Sequence, residues 1–325
     1  MRGALRALRL LSLAAVVGLG IAAVLAWRVA TAPGPLAEDR TVVVPRGSTR
    51  DIADLLEGAG VIADGDAFAV VAAITRGQGP LRAGEFVFPA GVTLLDTLGV
   101  LRTARPVQHR FTILEGALAV QIRAALEAEE ALAGPVPSFA EGALLPETYL
   151  FTRGDTRESV LRRAAAAMDQ LLAQEWDSRA ANLPLANPRE ALVLASIIER
   201  ETGVAQERAR VAGVFVNRLR RGMMLQSDPT TAYAAAGGAV LDRPLTRADL
   251  QRDHPFNTYR VVGLPPGPIA SPGRAAVRAA LNPEPHDFLY FVADGTGGHA
   301  FARTLDEHNR NVAAWRRIER ERGLR

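Results

Sequence analysis

Glu199 is the side chain in this 325-residue sequence whose setting points most directly to acid–base chemistry. It lies near the end of a helix with clear punctuation. Asn187 suits the N-cap, Pro188 the first helical position, and Glu190 completes a capping-box pattern. Gly203 is a natural stop. From Ala191 to Ile198 the segment is apolar on nearly every side, so the helix is predicted to be buried. Glu199 is the first charge after that run, stacked on Leu192, Ala195 and Ser196 at i−7, i−4 and i−3. A carboxyl on a buried face is desolvated, and its pKa rises. A general acid that holds its proton near neutral pH needs such surroundings. The same spacing fits a helix whose polar end merely begins at Glu199 and pairs with an arginine. Spacing alone leaves both readings open. Glu201, at i+2, leaves the helix in another direction and reads as structural or as a support behind the site.

Other chemistries find little support. There is no cysteine, so neither a disulfide framework nor thiolate chemistry is available. The five histidines, His109, His254, His286, His299 and His308, show no His-Glu-x-x-His spacing, and no metal site is expected. Ser196 lies within a helix and not on a strand–helix elbow, which argues against a serine hydrolase. Asp294-Gly295-Thr296-Gly297-Gly298 looks like a phosphate loop but lacks the following Lys-Ser/Thr and helix. It is read as a hairpin turn after a strand at Phe288–Val292. Met223 and Met224 are read as packing residues. The formal charge is only +3, and the basic side chains are all arginine and scattered, so no nucleic-acid partner is expected.

The elements that must hold this helix follow from the remaining pattern. A composition 48% hydrophobic and 22% charged is that of a globular chain, long enough for two domains and an appendage. Arg2, Arg6 and Arg9 precede an uncharged run from Leu10 to Trp27, near the roughly 20 residues that span a bilayer. The run exceeds a signal-peptide core of about 7–15 residues, and Pro33 follows the cleavage-like Ala30-Thr31-Ala32. A retained anchor over residues 10–27 is therefore expected, with the basic end cytoplasmic and the rest outside. Thr31 to Arg40 reads as a linker. Three strand–Gly–helix units follow, starting at Thr41–Val44, Phe86–Phe88 and Phe111–Leu114. Either a duplication or the commonness of such units accounts for them. Gly134, Pro135 and Pro137 mark a hinge between Ala131 and Phe139, and a long helix is predicted over Arg157–Glu175.

The segment Ala195-Ser196-Ile197-Ile198-Glu199-Arg200-Glu201-Thr202, then Asn217-Arg218-Leu219 and Leu225-Gln226-Ser227-Asp228-Pro229-Thr230, resembles the YceG-like family, the endolytic murein transglycosylases (MltG type). Asn257-Thr258-Tyr259 and Gly263-Leu264-Pro265-Pro266-Gly267 add to the resemblance, which runs from the N-terminal anchor to about Trp315. Leu114 stands where the family usually has Pro, Thr231 and Ala234 where Val and Gly are typical, and Phe256 where Tyr is common. The resemblance implies an α+β fold: anchor in residues 1–29, linker 30–40, LysM-like domain 41–135 and catalytic domain 136–325. It implies a periplasmic enzyme of the inner membrane that cleaves peptidoglycan between N-acetylmuramic acid and N-acetylglucosamine. Glu199 matches the family's catalytic glutamate. It would protonate the linking oxygen and then take the proton of the muramic C6 hydroxyl, giving a 1,6-anhydro end and consuming no water, metal or cofactor. Gln226, Asp228, Asn257, Tyr259 and Glu147 are candidate sugar-binding groups, with Glu201, Asn217 and Arg218 behind them. Peptidoglycan synthases are expected partners. The alternatives are a conventional muramidase, with Asp228 or Glu201 activating water, and a non-catalytic peptidoglycan-binding adaptor.

Overall fold

A computed structural model describes residues 2–322, with the side chains from residue 9 onward. The side chains of Arg2 and Arg6, read above as part of the basic flank, and the terminal Arg325 lie outside the described residues. The fold is mixed α+β, and the chain divides into two compact units, residues 1–109 with 152–154 and residues 110–151 with 155–325.

The first unit begins with helix α1 (Arg2–Thr31). Its stretch Arg9–Thr31 is 23 residues long, exposed from Arg9 to Val29, and apolar enough to cross a membrane. Strand β1 (Arg40–Val44) pairs antiparallel with β2 (Gly84–Phe88), in a register that sets Val42 opposite Phe86. Helices α2 (Thr49–Gly58), α3 (Gly65–Ile74) and α4 (Leu94–Thr103) complete the unit. Ser48, Asp64 and Thr93 cap their starts through side-chain oxygens, as short polar residues before an apolar period should. The core of Val44, Leu56, Phe68, Phe86, Phe88 and Leu98 is drawn from all five elements after α1.

The second unit holds most of β3 (Gln108–Thr112) against most of β4 (Thr148–Thr152), and α5 (Ala119–Ala128) and α6 (Arg157–Asp177) around them. The third strand–Gly–helix unit, β3 to α5, thus belongs with this second core and pairs with β4 instead of extending the β1–β2 sheet. The Gly/Pro segment 131–139, expected to be a hinge, is bound into the same core. Ala131 and Leu132 are buried with Ile122, Leu126, Tyr149 and Val160. Arg123 donates to the carbonyls of Val136 and Pro137, and Arg157 to those of Leu126, Glu129 and Gly134. The packing boundary therefore falls at residues 109/110, because the apolar residues flanking the segment serve one core.

Deeper in the unit are α7 (Pro188–Glu201), α8 (Arg208–Arg220), α9 (Asp228–Ala235), α10 (Arg247–Gln251) and α11 (Arg274–Leu281). The chain then forms the antiparallel hairpin β5 (Tyr290–Ala293) and β6 (His299–Ala302), followed by α12 (Leu305–Glu321). The Asp294–Gly298 segment is the hairpin turn, with Asp294 accepting from the backbone and hydroxyl of Thr296. The strand starts later than Phe288 because the Phe288 amide donates to the His286 ring.

Candidate active site

Helix α7 packs in a further core of this unit, with Leu171, Val211, Phe215, Val277 and Ala280. Asn187 caps it by accepting from the Glu190 amide at 3.0 Å. Glu190 reaches back one residue further than a capping box, to the Ala186 amide at 2.7 Å. Every residue from Val193 to Ile198 is buried. The helix ends with Thr202 in an extended conformation, and Gly203 does not take the left-handed turn expected of a stop there. Its last turn carries Glu199 and Glu201 on two different faces, and the two carboxyls meet different surroundings.

Glu199 lies in a closed corner. Its side chain is 6% exposed. Oε2 accepts from the Gly273 amide at 2.9 Å, and Oε1 lies 3.5 Å from the Arg208 guanidinium. Gly273 is the N-cap of α11, and a side chain there would collide with the Glu115 carboxylate. The turn at Gly116, whose φ of 73° suits glycine, exchanges backbone hydrogen bonds with Ser271 and takes one from Arg200. Burial raises the Glu199 pKa and Glu115 adds to the rise, while the Gly273 amide and Arg208 act against both. One oxygen thus accepts a hydrogen bond and the other faces a guanidinium.

Glu201 opens into a cavity of about 560 Å³, within the size range of small-molecule sites. Gln226, Asp228 and Tyr259 line it, over Phe215 and Leu225. Ser227 Oγ donates to Glu201 Oε1 at 2.5 Å. Burial pushes the Glu201 carboxyl up to about 7; the nearby Asp228 charge adds to this, and Ser227 and Arg218 oppose it. Tyr259 donates its hydroxyl to Asp228 Oδ1 at 2.7 Å, and burial and this bond together raise its pKa. Gln226 is one of two described non-glycine residues with positive φ, at 51°. It is held there by its amide's bond to the Thr258 carbonyl at 3.0 Å, while the next amide, of Ser227, donates to the Thr258 hydroxyl at 2.9 Å. A glutamine kept in this sparsely populated region beside a buried carboxyl marks a loop whose side-chain direction matters.

Three of the candidate sugar-binding residues therefore gather around Glu201, and Glu199 is not among the residues lining their cavity. Asn257, expected with them, is 0% exposed. Its amide nitrogen donates to the carbonyls of Asp249, Leu250 and Arg252, and its oxygen accepts from Thr231 and the Tyr259 amide. These bonds tie it into the loop that carries Tyr259. Glu147 is paired at 2.6 Å with Arg274, next to Gly273 and away from the cavity lining. Asn217 donates to the carbonyls of His286 and Phe288. The buried Arg218 binds the carbonyls of Leu289 and Leu225 and lies over the Tyr290 ring. Asn217 and Arg218 thus fasten the start of the hairpin to α8. Sequence reasoning missed His299, Tyr290 and His308, which also line the cavity. Their signal was the aromatic and histidine density of residues 286–308, which spacing rules for metals do not detect.

This chain belongs to the YceG-like family, whose model matches residues 42–314. It is 40% identical over 170 residues to the endolytic murein transglycosylase of Bacillus subtilis, a match covering 52% of this chain and 46% of that one. It is 32% identical over 321 aligned residues to the endolytic murein transglycosylase of Streptococcus pneumoniae strain D39, covering 84% of this chain and 58% of the other. The chain thus spans about half the length of the curated relatives it matches. The crystal structure of a YceG-like protein from Listeria monocytogenes is similar at a TM-score of 0.53 and 29% identity, covering 84% of this chain and 99% of that one.

Proposed function

We propose that this protein is an endolytic murein transglycosylase that cleaves glycan strands at the bond between N-acetylmuramic acid and N-acetylglucosamine. Its family membership and the names of its relatives support the reaction. The observation that carries the chemistry is the Glu201 carboxyl, raised to about 7, facing a cavity shared with Gln226, Asp228 and Tyr259. A carboxyl with that pKa is protonated in a substantial fraction of molecules at neutral pH. It gives its proton to the linking oxygen as the C1–O bond breaks. The muramic C6 hydroxyl closes onto C1, its proton leaves, and a 1,6-anhydro end forms. Gln226, Asp228 and Tyr259 offer donors and acceptors for sugar hydroxyl and acetamido groups.

A second reading assigns the acid to Glu199, the residue matched to the family's catalytic glutamate. Its favouring observation is the raised pKa of a side chain only 6% exposed. Digestion of purified glycan by Glu201→Gln and Glu199→Gln proteins, followed by mass spectrometry, separates the two. Loss of anhydro product in the first alone supports Glu201; loss in the second alone moves the acid to Glu199. Reducing ends from the unaltered protein would make it a muramidase, and strand binding without cleavage would make it an adaptor.

The apolar Arg9–Thr31 helix supports a single-pass anchor. With the arginine flank cytoplasmic, the rest of the first unit after the anchor and the whole second unit face outward, the former acting as a LysM-like domain and the latter as the catalytic domain. Peptidoglycan synthases, whose strands it would terminate, are the proposed partners. A reporter fused to the C-terminus that is active only in the cytoplasm would reverse this orientation.

A further inference from the structure

The cavity that holds Glu201 also holds an imidazole fixed from behind. His299, the first residue of β6, lines it. The short helical turn Ala205–Glu207 brings the Glu207 carboxylate against the β5–β6 turn. Glu207 Oε2 lies 2.7 Å from His299 Nδ1, and Oε1 accepts from the His299 amide at 3.1 Å. Gly298 leaves room for this approach, since a Cβ there would sit 2.7 Å from Glu207 Oε1. The Phe291 ring meets the imidazole edge-to-face at 5.3 Å and restricts its tilt. An ionised carboxylate only accepts, so Nδ1 carries the hydrogen and Nε2 of the neutral ring keeps its lone pair. Among the described residues Nε2 has no hydrogen-bond partner and is not sealed from solvent. A carboxylate that orients an imidazole in the wall of a reaction cavity is the arrangement of an activated base.

We propose that His299, oriented by Glu207, is the base of the reaction, so that Glu201 serves as the acid alone. This rests on the transglycosylase reading above. Glu201 gives its proton to the linking oxygen, which departs as the N-acetylglucosamine 4-hydroxyl. The C1–O bond breaks first and leaves positive charge shared between C1 and the ring oxygen; the C6 oxygen then bonds to C1 on the face the leaving group vacated, and the C6 proton passes to His299 Nε2. The imidazolium then loses a proton and Glu201 regains one, so no water or oxidant is consumed. The other charged groups facing this region are Asp294 on the hairpin turn and, around the cavity, Arg218, Asp228, Tyr259 and His308.

The test uses full-length protein in detergent on purified glycan. His299→Gln keeps an amide that can donate to Glu207. Its kcat should fall about 100-fold or more with KM changed little. His299→Ala should fall as far and recover in part when imidazole is added. Glu207→Gln should lose less, because the base remains but its orientation is weakened. Retention of kcat within about threefold by His299→Gln overturns the proposal. So does a loss that imidazole does not relieve and that accompanies a lowered melting temperature, since His299 then only holds the hairpin. The unaltered protein tests the parent reading separately: if it yields reducing ends, the transglycosylase assignment fails whatever the His299 variants do.

Discussion

Glu199 and Glu201 leave one helix two residues apart, and burial raises the pKa of both. The Glu199 corner answers its carboxylate with an amide and a guanidinium, and presses Glu115 against the same place. The Glu201 cavity supplies one hydroxyl, from Ser227, and otherwise leaves open space lined by polar groups. A raised pKa therefore does not by itself distinguish an acid from a structural carboxyl. The distinction lies in whether unused hydrogen-bonding capacity faces a volume that a substrate can enter.

The largest expected effect divides the two sites directly. Glu201→Gln should lower glycan cleavage by about 10²–10⁴-fold, the usual contribution of a general acid or base. Glu199→Gln should cost less than about tenfold in rate, because an amide can still accept from Gly273. In the unaltered protein, activity should decline as the pH rises through about 7, where Glu201 loses its proton. Equal losses in the two variants would erase the contrast.

Stability offers a second division. The Glu201 carboxyl stands at about 7 in the folded protein against 4.5 ordinarily, so the folded state holds a proton that the unfolded chain releases. Its stabilising contribution is complete below about 4.5 and is lost as the pH rises to about 7, a change of roughly 3 kcal/mol. Glu201→Gln removes this dependence. Urea melts of both proteins from pH 4 to pH 8 should show the variant gaining about 3 kcal/mol relative to the unaltered protein. A constant difference across that range would mean that Glu201 is not desolvated in the folded state.

Asn257→Ala should separate shape from contact. The variant leaves buried carbonyls and the Thr231 hydroxyl without partners and should lose about 2–4 kcal/mol in denaturant melts. KM per folded molecule should stay near that of the unaltered protein, since Asn257 has no face toward the cavity. A raised KM at unchanged stability would return Asn257 to the sugar-binding groups.

Much of the local structure was legible from the sequence. Asn187, Pro188 and an apolar run located α7, and the glycine-rich turn located the β5–β6 hairpin. The choice between the two glutamates was not legible, for a definable reason. The stacking argument applied to Glu199 gives Leu192, Ala195 and Ser196; applied to Glu201 it gives Leu194, Ile197 and Ile198, each 0% exposed. Both faces of α7 are buried, so periodicity reports desolvation for either carboxyl. Which face opens on a cavity depends on residues 225–228, 259 and 290–308, which only the fold brings together. Asn257 was ambiguous for a related reason: an amide suits sugar and backbone equally, and its five side-chain hydrogen bonds to protein groups appear only in the fold. The Gly/Pro segment 131–139 has the composition of a hinge, yet its flanking Ala131 and Leu132 lie in one core with residues on both sides.

The smallest effect discriminates most finely, because it probes each acid through its own neighbour. The Asp228 charge helps to raise the Glu201 carboxyl, and the Glu115 charge does the same for Glu199. Neutralising a neighbouring carboxylate removes repulsion against the ionised acid and lowers its pKa. If Glu201 is the acid, Asp228→Asn should move the alkaline decline of activity to lower pH, and Glu115→Gln should leave it in place. If Glu199 is the acid, the two variants exchange behaviour. Asp228→Asn also loses the charge that accepts from Tyr259, so its absolute rate should fall, but the position of the decline is independent of that loss. Anhydro ends should persist in the product. Reducing ends made by the unaltered protein that disappear in Asp228→Asn would instead identify Asp228 as the base of a hydrolase. Rate profiles of the two variants across pH 5–9 on one glycan preparation therefore test the acid and the reaction class together.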